Sequence, residues 1–160
     1  MALSVLALGS NLGDRGGYLR AACREISKLG EILAKSEIYE TKPVGYENQG
    51  DFLNAAIAVN TELKPLELLE KCQSIELEFG RTRPFKDAPR TLDIDIIFYE
   101  DFQIEGENLT LPHPRWHERD FVVSPLLDLL DKGVFKDKKF EKLRLFLSLK
   151  KRMFEPAEGL

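Results

Sequence analysis

Two aspartates separated by one residue offer the clearest chemistry in the chain. Asp93 and Asp95 alternate with Ile94, Ile96 and Phe98, and this period of two predicts a strand with both carboxylates on one face and the apolar side chains towards a core. Strand geometry puts the two aspartate Cα atoms roughly 6–7 Å apart. Such a pair suits a divalent cation such as Mg²⁺, which takes its remaining ligands from water and phosphate oxygens. A strand end with two solvated acids is the alternative.

A basic loop precedes these aspartates. Pro84 and Pro89 exclude a regular helix there. The charged residues of the loop are four cations and one acid: Arg81, Arg83, Lys86, Arg90 and Asp87. Guanidinium groups match phosphate oxygens, so cations beside a metal site are typical of phosphoryl or pyrophosphoryl transfer. A charged surface turn is the alternative.

The length, composition and net charge of the chain are those of an ordinary globular protein. The chain has 160 residues, 43% hydrophobic and 31% charged, with a net charge of −4, which argues against general nucleic-acid binding. No apolar run reaches the length of a membrane span, and the first residues lack the charged region of a signal peptide. We therefore expect a cytoplasmic protein with no membrane or nucleic-acid partner. Cys23 and Cys72 fall on apolar faces of predicted helices and are expected to be buried thiols.

Hydrophobic periodicity predicts the order strand, helix, strand, strand, helix, strand. The turn 9–14 is predicted to be a tight connection into the first helix. We expect an α+β fold, a ferredoxin-like βαββαβ sandwich with both helices on one face and a C-terminal extension. One domain would cover residues 1–160, with the ferredoxin-like unit at about 2–100 and the extension at about 101–155. The predicted strands are 3–8, 31–40, 52–62 and 93–99, and the predicted helices are 15–29 and 65–79.

The extension is expected to begin with a turn or short hairpin and to continue into additional helices. His113 lies between two prolines, which restrict its backbone. With Arg115 and Arg119 it could meet anionic oxygens, although a surface turn before a core helix is the alternative. A packed amphipathic helix is predicted between residues 132 and 152, and the last residues are expected to be frayed.

Five segments resemble, in order, the 6-hydroxymethyl-7,8-dihydropterin pyrophosphokinase family of folate biosynthesis. The resemblance is collinear from about Leu3 to Leu130. The family moves the β,γ-diphosphate of ATP to the hydroxymethyl group of a reduced pterin, so the resemblance implies ATP and 6-hydroxymethyl-7,8-dihydropterin as substrates. The segments are Leu8–Asp14, Phe52–Ala56, Gly80–Arg83, Pro89–Ile96 and Leu111–Arg115, the last continuing through Arg119 and Phe121.

This resemblance implies a metal and nucleotide site. Asp93 and Asp95 would hold two Mg²⁺ ions, and Arg81 and Arg90 would stabilise charge on the transferring group. The residues implied to bind ATP are Gln73, Glu76, Arg81, Arg83, Arg90, Ile96, His113 and Arg119.

The resemblance also implies a pterin site. The flat ring would lie between Phe52 and Phe121, with the Asn54 amide at its edge and backbone groups near Thr41, Pro43 and Gly45 reading the rest. On the residues alone, Asn54 is either a buried reader of a polar ligand or an edge polar residue. The loops 41–50 and 81–91 would act as lids that exclude water.

One lid departs from the family pattern. Many members carry Trp-Gly before the Pro-Arg pair, where this chain has Asp87 and Ala88, so Phe85 is the candidate for an aromatic lid residue. Trp116 is expected to pack rather than to take part in catalysis, and the protein is expected to act as a monomer.

Two other classes of function stay open. A ferredoxin-like module that senses a small ligand would do no chemistry. A metal-dependent hydrolase or nuclease would use the same aspartates without a pterin acceptor.

Overall fold

An antiparallel sheet of six strands forms the centre of the computed structural model, which describes residues 1–81 and 84–160. The strands are β1 (Ala2–Ser10), β2 (Gly30–Lys35), β3 (Glu37–Thr41), β4 (Phe52–Thr61), β5 (Asp93–Tyr99) and β8 (Pro156–Gly159). Their order in the sheet is β5-β1-β4-β3-β8, and β2 pairs with the other half of β4. A separate hairpin joins β6 (Ile104–Glu105) to β7 (Thr110–Leu111), and the helices are α1 (Arg15–Ile26), α2 (Pro65–Glu78), α3 (Asp120–Asp131) and α4 (Glu141–Ser148).

The predicted βαββαβ order is confirmed, with one strand divided. The strand predicted over 31–40 breaks at Ser36, where β2 ends and β3 begins. Ser36 forms the joint because its backbone N–H donates to Ala56 O at 2.9 Å and its Oγ accepts from Ala56 N at 2.8 Å. The two short strands can therefore pair with different parts of β4.

Helices α1 and α2 cover one face of the sheet. Asp14 caps α1 by accepting from Gly17 N at 3.2 Å, and Pro65 opens α2 at a position where its missing N–H removes no helical bond. Both cysteines are free and lie in the core on this face, as predicted. Burial raises the pKa of the Cys72 thiol to about 12.

The opposite face carries α3 and the C-terminal part of the chain. The prediction that Phe98 shares a face with Ile94 and Ile96 is wrong. The register between β1 and β5 shifts at Ile97, and a bulge of one residue turns the following side chains over. Phe98 therefore packs with Trp116 and Phe135 on the α3 face, at centroid distances of 5.0 and 6.0 Å.

The C-terminal segment is ordered, so the prediction of frayed last residues is wrong. Strand β8 pairs with β3 over Glu37–Tyr39 and covers that edge of the sheet. Ahead of it, the Arg152 guanidinium contacts Asp128 at 2.9 Å and Asp131 at 2.5 Å, both on α3. Sequence periodicity missed this strand because edge pairing needs only four residues and no apolar alternation. Among the described residues, no helix combines the length and the apolar character needed to cross a membrane.

Candidate active site

The two aspartates of β5 face a floor of very small residues. In the sheet register Asp93 pairs with Gly9 and Asp95 with Ala7, while Asn54 of β4 pairs with Gly9 from the other side. Paired residues share a face, so both carboxylates and the Asn54 amide rise from the α3 side of the sheet. A Cβ on Gly9 would lie 3.2 Å from Asn54 Oδ1, and the glycine therefore keeps the floor open.

Asp95 stands in an unfavourable electrostatic position. Burial, followed by the charges of Asp93 and Glu76, raises the pKa of Asp95, whereas Arg119 and Arg81 act in the opposite direction. Among the residues that the structure describes, the arginine contacts within 4.0 Å go to Asp93 rather than to Asp95. The site therefore concentrates negative charge that its own cations only partly offset.

Arg81 lies below the aspartates, between Glu76 and Asp93. Its Nη1 is 2.9 Å from Asp93 Oδ1, although the alignment is too poor for a hydrogen bond. Its Nη1 also contacts Glu76 Oε2, which accepts from Ile94 N at 2.8 Å. Burial raises the pKa of Glu76 against these favourable contacts. Within the described chain, Arg81 Nε and Nη2 are buried without a hydrogen-bond acceptor, and Arg81 does not line the cavity described below.

Two further arginines stand beside aromatic rings at the mouth of the site. The Arg90 guanidinium lies 5.1 Å from the Phe52 ring centre and 4.0 Å from Asp93 Oδ2. The Arg119 guanidinium lies 5.7 Å from the centre of Phe121. The aromatic faces orient both cations without neutralising them.

His113 is held near these cations. Its backbone N–H donates to Ile97 O at 2.9 Å, and its Nδ1 accepts from Arg115 N at 3.3 Å. Burial and the charge of Arg119 lower the pKa of His113, with Asp93 opposing them. A neutral imidazole that accepts at Nδ1 carries its proton on Nε2 and can donate there.

A cavity of about 260 Å³ opens above the carboxylates. Asn54 Nδ2 donates to Thr41 Oγ1 at 2.6 Å inside its wall, which fixes the amide. Aromatic, amide and charged side chains thus converge on one slot. Of the residues predicted for this site, the wall contains Thr41, Gly45, Phe52, Asn54, Arg90, Asp93, Asp95, Arg119 and Phe121.

Several predicted residues lie outside this wall, and Glu76, Arg81 and His113 are among them. Pro43 belongs to the same loop but does not line the cavity, and Gln73 is exposed on α2. The Ile96 side chain is buried in the core on the α1 and α2 face. Arg83, predicted to bind ATP, lies outside the described residues.

Phe85 does not line the slot. Its ring is 47% exposed and packs edge-on against Tyr46 at 4.9 Å. Lys86 and Asp87 of the same loop line the cavity instead.

Sequence reasoning missed the polar residues that join the loops. The sequence predicts that Asn11 belongs to a tight turn and Gln49 to a lid loop, yet Asn11 Nδ2 donates to Gln49 Oε1 at 2.7 Å. The position of Asn11 within the Leu8–Asp14 segment, which resembles the family, is the one sequence signal that points to it.

Asp93 and Asp95 are the residues that could hold a divalent cation. In the described part of the chain, no group of three or more His, Cys, Asp or Glu side chains is arranged to hold a metal ion. A cation on these two carboxylates would complete its shell with water and ligand oxygens. The arrangement can thus hold a polyanionic ligand and a flat polar ring next to each other in one cavity.

Comparison with known proteins agrees with this geometry. The model of the family "7,8-dihydro-6-hydroxymethylpterin-pyrophosphokinase (HPPK)" matches residues 5–131. The chain belongs to this family. It is a pyrophosphokinase of folate biosynthesis, as the resemblance predicted, and neither the sensor nor the hydrolase alternative is supported.

Curated relatives include single enzymes of similar length. The 2-amino-4-hydroxy-6-hydroxymethyldihydropteridine pyrophosphokinase of Bacillus subtilis is 48% identical over 129 residues, covering 79% of this chain and 77% of the relative. The enzyme of the same name from Aquifex aeolicus is 46% identical over 129 residues, covering 81% of each chain.

Other relatives are longer. The bifunctional protein FolKE of Lactococcus lactis strain IL1403 is 45% identical over 134 residues, covering 82% of this chain but 38% of that protein. The Plasmodium falciparum HPPK-DHPS structure shares the fold with a TM-score of 0.60 at 18% identity, covering 81% of this chain and 40% of that one. The chain thus spans less than half of these bifunctional proteins.

Proposed function

We propose that this HPPK family member transfers the β,γ-diphosphate of ATP to the hydroxymethyl oxygen of 6-hydroxymethyl-7,8-dihydropterin. The products are AMP and the pterin diphosphate. The pterin oxygen bonds to the β-phosphorus, the bond from that phosphorus to the α,β-bridging oxygen breaks, and the hydroxyl proton passes to solvent. One observation carries the proposal: two aspartates of one strand face share a cavity with three arginines and an aromatic slot that has an amide at its edge.

The aromatic slot suits the pterin. Phe52 and Phe121 supply its flat walls, and Asn54 offers a donor and an acceptor at the ring edge. Asn54 Nδ2 donates one hydrogen to Thr41 Oγ1 at 2.6 Å, which leaves its second hydrogen to donate to the ring and Oδ1 to accept from it. Backbone groups at Thr41 and Gly45 line the same space, and the role of Pro43 stays a prediction.

Asp93 and Asp95 are proposed to hold Mg²⁺, with two ions expected. The donor set fits, because both groups present hard carboxylate oxygens and Asp93 Oδ1 is buried without a hydrogen bond inside the described chain. Burial and neighbouring acids raise the pKa of Asp95, which means that its ionised form is disfavoured. A nearby cation would offset this cost. When bound, Mg²⁺ supplies charge stabilisation at the phosphate and pterin oxygens.

The remaining cations are proposed to bind and orient the phosphates. Arg81 has two buried donor atoms without an acceptor in the described chain, and Arg90 and Arg119 lie at the cavity wall. His113 can donate from Nε2. These donors fix the diphosphate in line with the pterin oxygen and stabilise its charge as the bond to AMP breaks.

Some of the residues predicted to bind ATP do not line the cavity, and Arg83 lies outside the described residues. Binding of ATP by Gln73, Glu76, Arg83 and Ile96 stays a prediction, with Glu76 already accepting from Ile94 N and Arg81. A cytoplasmic location, a monomeric state and one domain over residues 1–160 are likewise kept as predictions.

The proposal is tested by an AMP assay with ATP, Mg²⁺ and the pterin, each omitted in turn. We expect AMP and pterin diphosphate in equal amounts only when all three are present. ADP as the product would indicate an ordinary kinase, and phosphate release without pterin would indicate a hydrolase. Either result would overturn the proposal.

A further inference from the structure

The side chain of Asn11 joins three segments of the chain. It follows the end of β1, is only 6% exposed, and has both polar atoms in use. Its Oδ1 accepts from Arg90 N at 2.9 Å, and its Nδ2 donates to Gln49 Oε1 at 2.7 Å and Gly50 O at 3.0 Å. The backbone N–H of Asn11 also donates to Arg90 O at 3.1 Å. One buried amide thus holds both loops that surround the cavity.

Gln49 extends this connection between the loops. Its Nε2 donates to Asp87 O at 3.1 Å and to Tyr46 O at 2.5 Å. Gly45 packs so closely on Asp87 that a Cβ there would lie 2.4 Å from Asp87 Oδ2. The loop 42–51 and the described part of the arginine loop, 84–92, are therefore fastened to each other as well as to β1.

Neither Asn11 nor Gln49 lines the cavity, but the residues they hold do. Gly45 stands in the wall on one side, and Asp87 and Arg90 stand in it on the other. The Asn11 side chain accepts from Arg90 N, and the Asn11 backbone N–H donates to Arg90 O. Asn11 therefore holds the backbone that carries the Arg90 guanidinium.

We propose that Asn11 and Gln49 are positioning residues that form a latch between the two loops. The latch fixes Gly45, in the cavity wall proposed to hold the pterin, relative to the Arg90 guanidinium. Each loop therefore depends on the other for the position it takes beside the cavity. This inference rests on the proposed function for its catalytic consequence, but the latch itself is a physical property of the fold.

The kinetic test uses Asn11→Ala, Gln49→Met and the double variant, assayed well below their melting temperatures. Because misplacement of a reacting group by about 1 Å costs roughly 100-fold in rate, we expect kcat/KM for the pterin to fall about 100-fold in Asn11→Ala. Affinity for a non-hydrolysable ATP analogue should change less than about threefold, since other cations also hold the phosphates. The double variant should be no worse than Asn11→Ala, because both changes open one latch.

Asn48→Ala is the matched control. Asn48 lies in the same loop and is exposed, and its one hydrogen bond within residues 1–81 and 84–160 is donated to Tyr46 Oη at 3.3 Å. Its substitution should leave all these constants within about twofold of the parent. Retention of kcat and pterin KM in Asn11→Ala, or independent effects that simply add in the double variant, would overturn the latch.

Hydrogen exchange tests the latch without reference to activity. Gln49→Met lies in loop 42–51, yet we expect faster exchange at the backbone amides of 84–92, measured on peptides by mass spectrometry. Unchanged exchange there would overturn the latch even if activity falls. Conversely, a parent protein that makes no AMP but shows the faster exchange would refute the proposed function and leave the latch standing.

Discussion

Two clusters of carboxylates and arginines lie on the α3 side of the sheet, and they are built in opposite ways. At Asp128 every side-chain oxygen has a well-placed donor. Asp128 Oδ2 accepts from Tyr39 Oη at 2.7 Å and Glu37 N at 3.0 Å, and Oδ1 accepts from Arg152 Nε at 2.9 Å. At the active site, Asp93 Oδ1 and two nitrogens of Arg81 are buried without a hydrogen bond in the described chain.

The difference separates a structural cluster from a functional one. Buried polar groups are normally satisfied, and a satisfied cluster stabilises the fold because its loss would leave donors unpaired. An unsatisfied cluster lowers stability but retains binding capacity for a ligand. The same substitution, aspartate to asparagine, should therefore have opposite consequences at the two places.

Asp95→Asn should have the largest effect, and it should fall on activity. The substitution keeps the shape but removes the charge that would hold Mg²⁺. Because a catalytic metal contributes several kcal/mol to transition-state stabilisation, kcat should fall by about three orders of magnitude. AMP formation at saturating substrates measures this loss.

The same variant should be at least as stable as the parent when Mg²⁺ is absent. Removal of one of two neighbouring acids relieves repulsion and the burial of a charge. Denaturation in urea at pH 8 with a chelator would test this. A clear loss of stability would show that Asp95 has a structural role like that of Asp128.

Asp128→Asn should have the opposite result. In the variant, an NH2 group replaces one carboxylate oxygen of Asp128 and faces a group that also donates. At least one hydrogen bond to the charged carboxylate is therefore lost. We expect a destabilisation of roughly 2–3 kcal/mol, since such bonds contribute about 1.5–3 kcal/mol each. For a chain of this size the melting temperature should fall by roughly 5–10 °C.

The phenol of Tyr39 reports on the same substitution. Burial first, and then the hydrogen bond and charge of Asp128, raise the pKa of Tyr39 to about 12. Asp128→Asn should lower that pKa towards its ordinary value, as followed by absorbance of the ionised phenol. Turnover below the melting temperature should stay near that of the parent. A large loss of kcat would show that the Asp128 cluster has a functional role as well as a structural one.

Asn54→Ala should weaken pterin binding more than nucleotide binding. Loss of hydrogen bonds of about 1–3 kcal/mol should raise the pterin Kd by roughly 10- to 100-fold. Titration calorimetry with the pterin and with an ATP analogue measures both affinities. Thr41→Val is the paired variant, because Thr41 Oγ1 holds the amide at 2.6 Å and its loss should give a smaller change in the same direction. Equal losses for both ligands in Asn54→Ala would contradict the assignment of Asn54 to the pterin edge.

Local sequence pattern was sufficient to place the two aspartates on one strand face and to give the order of helices and strands along the chain, but not to predict the joints between elements. The alternation of Asp93, Ile94 and Asp95 is a property of one strand and can be read directly. The bulge at Ile97 depends on the pairing of β5 with β1. The sequence of β5 alone therefore does not predict that the Phe98 side chain lies on the opposite face from Ile94 and Ile96. The same holds for Asn11, whose three side-chain partners lie between 38 and 79 residues away.

Arg152 offers the smallest and most specific test of the Asp128 cluster. Its side chain is 39% exposed, so solvent screens the pair and Arg152→Ala should cost only about 1 kcal/mol. Arg152→Lys should recover only part of that loss. The lysine keeps the positive charge, but its single ammonium group cannot bond Asp128 and Asp131 together as the forked guanidinium does. Urea denaturation gives the stabilities, and hydrogen exchange over 153–160 should show β8 opening more often in the alanine variant. If alanine is as stable as arginine, then Tyr39 and the backbone of Glu37 satisfy Asp128 by themselves, and the C-terminal strand is held by its pairing with β3 alone.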